Sequence, residues 1–380
     1  MKIAVVLDQL SKGGTAKLAI EEVRELSRLG HDAELLLLFD NQKDIFGDIL
    51  KGIKVRKIWH EIPAIFRINF KIPFFSFFSF FHLSEVLILP FIIKRKEYDF
   101  FVAHLTYTCF SVASVSKFRK IPYIAYIHDS ISYIFRKVYL KGSKKFFFYL
   151  IYFFAVLADK IILRNAFAVC KQSKFELDYI EKITKRKAFV VPPSTYRRRD
   201  SIPDKRGDNL IAFTKWDFSK NFDFLIKLVK NLPTQKLIVA GQWHPDEYLA
   251  KVKAAVHEEG LNERIIFKGQ LDEEGIKDLF DSARVLVHPL FEAWGSTLYE
   301  AACNGVTFIA PKGCGISDYL FHEKDAFFVA QDDLDGYLYY INKLVNDKDY
   351  AFTMGRQAWI DIKKIDIENH VKSLVSIMQG

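Results

Sequence analysis

The stretch that decides the fold reads IAVVLDQLSKGGTAKLAIEEVRELSRLGHDAELLLLF and spans residues 3–39. Its first five residues form an unbroken apolar run, which is typical of a parallel strand covered on both faces. A glycine pair follows, and apolar residues then recur at helical spacing from Ala19 to Leu29 before Gly30 ends the helix. A second apolar run completes a strand–turn–helix–strand unit, which predicts the opening of a doubly wound parallel sheet.

The same alternation of strands and helices appears twice along the chain. In the first half we expect further strands at residues 99–103, 122–127 and 167–170. A second series starts near residue 209 and alternates strand-like runs with amphipathic helices as far as TFIAP at residues 307–311. A segment rich in proline and charge separates the two series, so the sequence predicts two α/β domains of Rossmann-like type.

These observations set the expected domain boundaries. We place a first Rossmann-like domain at residues 1–195, a second at residues 196–355, and a C-terminal helix in residues 356–380 that packs back toward the first domain. Two such domains would face a central cleft, because parallel sheets bind their ligands at the carboxyl ends of their strands.

Charge is distributed unevenly along the chain, whose net charge is +9. Residues 1–200 hold 34 Lys and Arg against 19 Asp and Glu, whereas the remainder holds 21 against 27. A basic first half favours an anionic partner, either nucleic acid or membrane lipid. The four cysteines are scattered, which argues against a zinc site or a disulfide framework and is typical of the cytosol. The first residues lack the long apolar core and cleavage site of a signal peptide.

Phenylalanine occurs 36 times and clusters in residues 72–93 and 136–154. The first cluster is long enough for a membrane-spanning helix, but prolines, His82 and Glu85 interrupt it, so we do not expect one. The second cluster combines aromatic side chains with basic ones, which favours a helix at an anionic membrane surface; a buried helix with a basic end is the alternative. Its basic residues are Arg136, Lys137, Lys141, Lys144 and Lys145. Nucleic acid is disfavoured, because base-stacking aromatics are spaced singly among basic residues.

Residues 288–305, HPLFEAWGSTLYEAACNG, carry the candidate chemistry. Glu292 lies in a loop after a strand, Gly295 frees the backbone, Ser296 or Thr297 can cap a helix, and Glu300 lies about one turn inside it. The backbone N–H groups of residues 295–297 would form an anion site suited to a diphosphate. The two carboxylates suit sugar and ribose hydroxyls, which donate hydrogen bonds to them. A solvent-facing Glu300 is the alternative interpretation.

This segment resembles the signature of glycosyltransferase family 4, the retaining GT-B enzymes, which is a Glu-x7-Glu loop and helix after a strand that ends in Pro. The similarity continues through residues 307–315 and extends over nearly the whole chain. The resemblance implies that Glu292 contacts the donor sugar and Glu300 the ribose. It also implies that the N–H groups around Gly315 and Ile316 lie near the sugar or the diphosphate.

Two upstream segments extend the resemblance. The family's Arg and Lys on the pyrophosphate correspond to Lys215 and Lys220, and a Lys in place of Arg keeps the charge but loses the bidentate fork. In the first half, Gly13-Gly14 matches a glycine turn that lies against the donor phosphates. His128, at the end of a strand, matches a His beside the reacting sugar; a purely structural His is the alternative. Residues 324–326, KDA, depart from the family's Asn-Gly turn.

The resemblance implies a glycosyltransferase that moves a hexose-type sugar from a UDP- or GDP-sugar to a glycan or lipid-linked acceptor, with retention. No metal or other cofactor is expected, since Asp333-x-Asp335 and Asp347-x-Asp349 lie late in polar segments typical of solvated surface. We expect a cytoplasmic protein with peripheral contact at the inner face of the cell membrane. The alternative is a non-catalytic carbohydrate- or nucleotide-sugar-binding scaffold subunit. An NAD-binding enzyme is disfavoured, because residues 11–17 lack a complete Gly-x-Gly-x-x-Gly.

Overall fold

The computed structural model describes residues 1–10, 13–39, 47–66, 80–136, 146–195 and 198–380. The chain forms two compact units, the first comprising Met1–Thr195 with Ile367–Gly380 and the second Tyr196–Asp366. The second unit therefore extends beyond residue 355, and the segment that belongs to the first unit begins at Ile367 rather than at residue 356. One reason is that Trp359 donates a hydrogen bond from Nε1 to the carbonyl of Arg199 at 3.0 Å, within the second unit.

Within the described residues, the first unit contains a seven-stranded parallel sheet of order β3-β2-β1-β4-β5-β6-β7. Its strands are β1 (Lys2–Leu7), β2 (Asp32–Leu37), β3 (Lys54–Lys57), β4 (Phe100–His104), β5 (Tyr123–Ile127), β6 (Ala168–Lys171) and β7 (Phe189–Val190). Its helices are α1 (Gly14–Arg28), α2 (Ile58–Glu61), α3 (Phe80–Ile92), α4 (Thr106–Arg119), α5 (Ile131–Phe135), α6 (Phe146–Asn165) and α7 (Leu177–Thr184).

The second unit contains a six-stranded parallel sheet of order β10-β9-β8-β11-β12-β13 in its described part. Its strands are β8 (Asn209–Phe213), β9 (Leu237–Ala240), β10 (Ile265–Gly269), β11 (Ala283–Val287), β12 (Phe308–Pro311) and β13 (Phe327–Val329). Its helices are α8 (Phe222–Lys230), α9 (Asp246–Glu258), α10 (Glu273–Asp281), α11 (Ser296–Cys303), α12 (Leu334–Asn346) and α13 (Lys348–Asp361). The last helix of the chain, α14 (Ile367–Gln379), belongs to the first unit.

Both sheets are buried on both faces, which confirms the expected pair of doubly wound sheets. In β1, Val5 and Leu7 pack into the core beside α1 and α14, whereas Ala4 and Val6 face the core formed with α3, α4 and α6. In the second unit, Ile211 packs beside α10 and α11, and its neighbours in β8 pack toward α8, α9 and α12. Continuous apolar runs are required because successive side chains point to opposite, equally buried faces.

The two phenylalanine-rich stretches are described only in part. Residues 72–79 of the first stretch and residues 137–145 of the second, with Lys137, Lys141, Lys144 and Lys145, lie outside the described residues. Residues 80–92 of the first stretch form α3, residues 146–154 of the second form the first half of α6, and Arg136 directly follows α5. None of the described helices is both long enough and apolar enough to cross a membrane.

Candidate functional site

The candidate site of the second unit lies where the strand order of its sheet reverses. From β8 the chain proceeds to β9 and β10 on one side, and β11, β12 and β13 follow on the other side of β8. Such a switch point leaves a crevice at the carboxyl ends of the two central strands, here β8 and β11. The loops after these strands, residues 214–221 and 288–295, contain the predicted residues Lys215, Lys220 and Glu292.

Lys220 and Glu292 meet at this switch point although 72 positions separate them in the chain. The ammonium group of Lys220 donates to Oε1 of Glu292 at 2.8 Å, and both side chains are about one-fifth exposed. Burial would raise the pKa of Glu292, but the attraction of Lys220 and His288 outweighs it and holds that pKa well below its usual range. Burial would lower the pKa of Lys220, yet Glu292 more than compensates and raises it. Both groups are therefore ionised at neutral pH.

His288 is a further member of the site to which the sequence analysis gave no role. It immediately follows β11 and is buried, and its Nε2 lies 3.6 Å from Oε1 of Glu292. Its backbone is held on both sides, because its N–H donates to the carbonyl of Ile309 at 2.9 Å and its carbonyl accepts from the Tyr337 hydroxyl at 2.6 Å. In the sequence, the feature that points to His288 is its i, i+4 spacing from Glu292, across a loop whose second residue is a proline.

The loop that carries Glu292 is fastened to the segment after β12. The N–H of Gly315 donates to the carbonyl of Glu292 at 3.0 Å, and the N–H of Ile316 donates to the carbonyl of Trp294 at 2.9 Å. The N–H of Glu292 in turn donates to Sγ of Cys314 at 3.4 Å. The N–H groups of Gly315 and Ile316, which the resemblance assigned to the sugar or the diphosphate, are thus occupied in positioning the Glu292 loop.

The helix after this loop, α11, begins directly after Gly295, a position whose backbone conformation requires glycine. Gly295 has φ of 91°, and a Cβ added there would lie 2.9 Å from Cδ1 of Leu298. Gly295 is the N-cap residue, so Ser296 and Thr297 belong to the first turn and neither caps the helix with its side chain. The first intrahelical bond runs from the N–H of Tyr299 to the carbonyl of Gly295, which leaves the preceding N–H groups directed away from the helix.

The other predicted residues of this unit are placed as follows. Glu300 lies in α11 and is partly exposed, while Lys215 is exposed in the loop after β8. Lys215 has no hydrogen-bond or ion-pair partner within the described part of the chain. Next to it, Trp216 is buried and stacks on Trp243 at 5.3 Å between ring centroids, which holds the backbone of the Lys215 loop.

The two Asp-x-Asp triplets serve as helix caps. Asp333 accepts from the N–H of Gly336 at 2.9 Å at the start of α12, and Asp347 accepts from the N–H of Tyr350 at 2.8 Å at the start of α13. Their spacing reflects the preference for Asp at N-caps and in first turns. Among the described residues, no three His, Cys, Asp or Glu side chains are grouped closely enough to hold a metal ion.

In the first unit, Gly13 and Gly14 form the entry to α1. Gly13 has extended backbone angles, φ −178° and ψ 166°, which any residue can adopt. A Cβ at Gly13 would meet no atom within 4 Å, so the structure provides no packing reason for glycine at this position. Gly14 opens the helix, whose first turn carries no acidic residue.

His128 directly follows β5 and is held as a neutral imidazole. Burial lowers the pKa of His128 to about 3, with His104 and Lys171 contributing in the same direction. Nδ1 lies 3.2 Å from Oε1 of Gln172, an oxygen that only accepts, so Nδ1 carries the proton. The Nε2 atom is buried and has no hydrogen-bond partner in the described structure. Because Nε2 carries no proton, its lone pair can accept a hydrogen bond from a hydroxyl group.

The comparisons with known families agree with this fold. Residues 197–359 match the family model for glycosyl transferases group 1, and residues 12–194 match the model for glycosyltransferase family 4. The two matches lie one after the other along the chain, which therefore belongs to the glycosyltransferases that these models describe. An uncharacterised glycosyltransferase of Methanocaldococcus jannaschii is 22% identical over 185 residues. That alignment covers 47% of each chain, so it spans about half the length of this curated relative.

Solved structures with the same fold cover the whole chain. The HepE protein of Anabaena, in complex with UDP and glucose, superposes with a TM-score of 0.75 at 17% identity and covers 100% of both chains. Sucrose-phosphate synthase from Thermosynechococcus elongatus superposes with a TM-score of 0.79 at 16% identity, over 100% of this chain and 98% of the other. These similarities confirm the expected GT-B fold.

Proposed function

We propose that the protein is a metal-independent, retaining hexosyltransferase that uses a UDP- or GDP-sugar as donor. The acceptor is a glycan or a lipid-linked molecule, which the enzyme reaches as a cytoplasmic protein in peripheral contact with the inner face of the cell membrane. The observation that carries the proposal is the Lys220–Glu292 pair at the switch point of the second unit, at 2.8 Å. The Anabaena structure with UDP and glucose supports a uridine nucleotide as the first donor to test.

The residues would share the work as follows. Breaking the bond from the anomeric carbon to the phosphate passes through an oxocarbenium-like state and leaves negative charge on the departing diphosphate. Lys220, the exposed Lys215 and the first N–H groups of α11 would stabilise that charge, which is electrostatic preorganisation. Glu292 would accept hydrogen bonds from the donor sugar and Glu300 from the ribose.

The first unit would supply further groups to the reaction. His128 would act beside the reacting sugar, where its neutral Nε2 atom accepts a hydrogen bond from a hydroxyl. The glycine pair at residues 13 and 14 would allow the donor phosphates to approach the backbone. In a retaining reaction, the leaving phosphate oxygen would take the proton of the acceptor while the new bond forms on the same face.

The test begins with a thermal-shift panel of UDP-, GDP- and ADP-sugars, because a ligand selective for the native state raises the unfolding midpoint. Release of nucleoside diphosphate is then measured for the wild type and for Glu292→Gln and Lys220→Met. We expect kcat/KM to fall about 100-fold or more in each variant, since each removes a charge directed at the reacting groups. Activity should survive EDTA, and NMR of the first-formed product should show retained anomeric configuration.

A matched control is available in the same unit. Lys230, the last residue of α8, pairs with Glu259 at an exposed surface away from the switch point. Lys230→Met should leave kcat/KM within about twofold of the wild-type value, because exposed pairs contribute little. The proposal is wrong if no nucleotide sugar raises the midpoint, or if Glu292→Gln is as active as the control.

A further inference from the structure

The sixth helix of the first unit exposes an apolar face that no described residue covers. Six large side chains along α6 are between 42% and 61% exposed. They are Tyr149, Leu150, Phe153, Phe154, Leu157 and Ile161. At 100° per residue, these positions fall within one face of about 140°. The exposed residues therefore form a continuous stripe along three turns of the helix.

The opposite face of α6 fixes the orientation of this stripe. Ala155, Ile162 and Leu163 are buried in the core of the first unit. Asp159 is fully buried on the same side, where its carboxylate accepts hydrogen bonds from the N–H groups of Ile131 and Ser132 at 2.9 and 3.0 Å. Turning the apolar stripe inward would remove Asp159 from both N–H groups and leave them without this acceptor, so the stripe faces outward for structural reasons.

The charged residues on the exposed face of α6 are basic. Lys160 and Arg164 lie on that face and are exposed, while Asp159, the acidic residue of this helix, is buried on the opposite side. A second helix of the same unit, α3, also exposes apolar side chains, since its Leu87 and Phe91 are 72% and 82% exposed. The exposed basic run KRK at residues 94–96 follows α3 after one buried residue, Ile93.

The two helices belong to one layer on one face of the sheet. Between them, α4 packs against both α3 and α6, and its own last turn exposes Phe118 beside Lys117. Since α3, α4 and α6 each lead into a parallel strand of this sheet, their carboxyl ends lie at the same edge. We use the term docking face for the exposed apolar side chains of α6 and α3, together with the basic residues at the carboxyl ends of these helices.

We propose that the docking face binds the surface of an anionic lipid bilayer, with the aromatic side chains at headgroup level and the basic groups on lipid phosphates. This inference rests on the proposed function for its purpose, which is to bring the active site to a lipid-linked acceptor. Aromatic rings and long basic side chains suit an interface that is apolar on one side and anionic on the other. A second copy packed with its helices parallel would instead bring the basic carboxyl ends together across a two-fold axis.

The direct test is flotation of the full chain with vesicles of phosphatidylglycerol and phosphatidylethanolamine, compared with phosphatidylcholine alone. We expect the wild type to float with the anionic vesicles and to be released as salt is raised. The triple variant Phe153→Ser, Phe154→Ser, Leu157→Ser should bind the anionic vesicles about tenfold more weakly or worse, because it removes the central apolar side chains of the α6 stripe. The variant Lys94→Glu, Arg95→Glu, Lys96→Glu should lose the preference for anionic lipid.

A control and a gain-of-signal variant keep the test decisive. Tyr339 and Ile360 are equally exposed apolar residues in the second unit, and Tyr339→Ser with Ile360→Ser should float as the wild type does. In Phe153→Trp, brominated lipid should quench the new fluorescence, which reports insertion without removing the face. Wild-type flotation that is unchanged in the triple variant would overturn the proposal, as would a wild-type dimer that the triple variant converts to a monomer.

The outcome also separates docking from catalysis. Hydrolysis of the donor sugar nucleotide, with water as acceptor, should be the same in the triple variant and the wild type. If the protein floats as expected but hydrolyses no nucleotide sugar, the docking face stands and the proposed function fails. If the protein hydrolyses the donor but does not float, the proposed function stands and the docking face fails.

Discussion

At the residue scale, the most consequential polar group outside the candidate site is Glu22. This buried carboxylate on α1 binds Nε2 of His104 and Nε2 of His370, both at 2.7 Å. Burial would raise the pKa of Glu22, but the charge of His104 and the hydrogen bonds from both histidines lower it to about 2. The Nδ1 atom of His370 lies 2.8 Å from the carbonyl oxygen of Pro192, which only accepts. Both ring nitrogens of His370 therefore face acceptor oxygens.

Glu22→Ala should therefore destabilise the first unit strongly. The substitution leaves two buried imidazoles without their partner, and we expect the free energy of unfolding to fall by about 3 to 5 kcal/mol. Urea unfolding followed by circular dichroism measures the loss. Glu21 is the matched control, since it is the neighbouring residue and pairs with Arg24 at the exposed surface. Equal losses in Glu21→Ala and Glu22→Ala would contradict this account.

At the scale of the element, the loops of the candidate site depend on close backbone contacts. Gly241 directly follows β9 and has φ of 123°, and a Cβ at this position would lie 1.8 Å from the carbonyl oxygen of Thr214, next to Lys215. The N–H of Trp216 also donates to the carbonyl of Gln242 at 2.8 Å. The loops after β8 and β9 are thus joined by backbone contacts that no side chain can replace.

Gly241→Ala should disrupt the second unit far more than Gly260→Ala. The first substitution combines an unfavourable φ with a backbone clash, whereas Gly260 has φ of 66° and open space where a Cβ would stand. We expect about 1 kcal/mol for Gly260→Ala and at least about 3 kcal/mol for Gly241→Ala. Thermal unfolding midpoints of the two purified variants give the comparison. If Gly260→Ala proves as harmful as Gly241→Ala, the contact with Thr214 is unimportant.

At the scale of the whole molecule, two buried groups make stability depend on pH. The pKa of His128 is lowered to about 3 and that of Glu22 to about 2. In the folded protein both groups therefore release protons that the unfolded chain holds more tightly. Between pH 3 and about 6.5 the unfolded state therefore binds more protons than the native state, and acid favours unfolding. Above about pH 6.5 both groups contribute their full amount to the free energy of unfolding, and that amount no longer changes with pH.

We expect the unfolding free energy to decline below about pH 6.5, with His128 contributing up to about 1.4 kcal/mol per pH unit. Denaturant titrations at half-unit steps from pH 8 to pH 4 measure this decline. His128→Asn removes the titrating group and should flatten the profile between pH 4 and pH 6. A His128→Asn profile with the same slope as the wild type would show that the imidazole does not resist protonation in the folded state.

The sequence by itself determined the repeated strand–helix pattern and the two parallel sheets, and its Glu-x7-Glu segment indicated the family that the matches confirm. These features are local, because the spacing of apolar residues within one segment reports its secondary structure and its burial on two faces. Short strands were missed: β3, of sequence KVRK, and β7 lie at sheet edges, where no buried apolar run is required. Domain boundaries depend on which segment packs where, so residues 356–366 could not be assigned from their pattern.

Only the tertiary structure decided which groups meet. The spacing along the chain does not reveal that Lys220 reaches Glu292, because that contact follows from β8 and β11 being neighbours in the sheet. The same holds for the N–H groups of Gly315 and Ile316, which bind the Glu292 loop, and for the outward stripe of α6, whose helix is apolar on both faces. Periodicity identifies a helix or a strand, whereas strand order and the covering of each face depend on residues far apart in the chain.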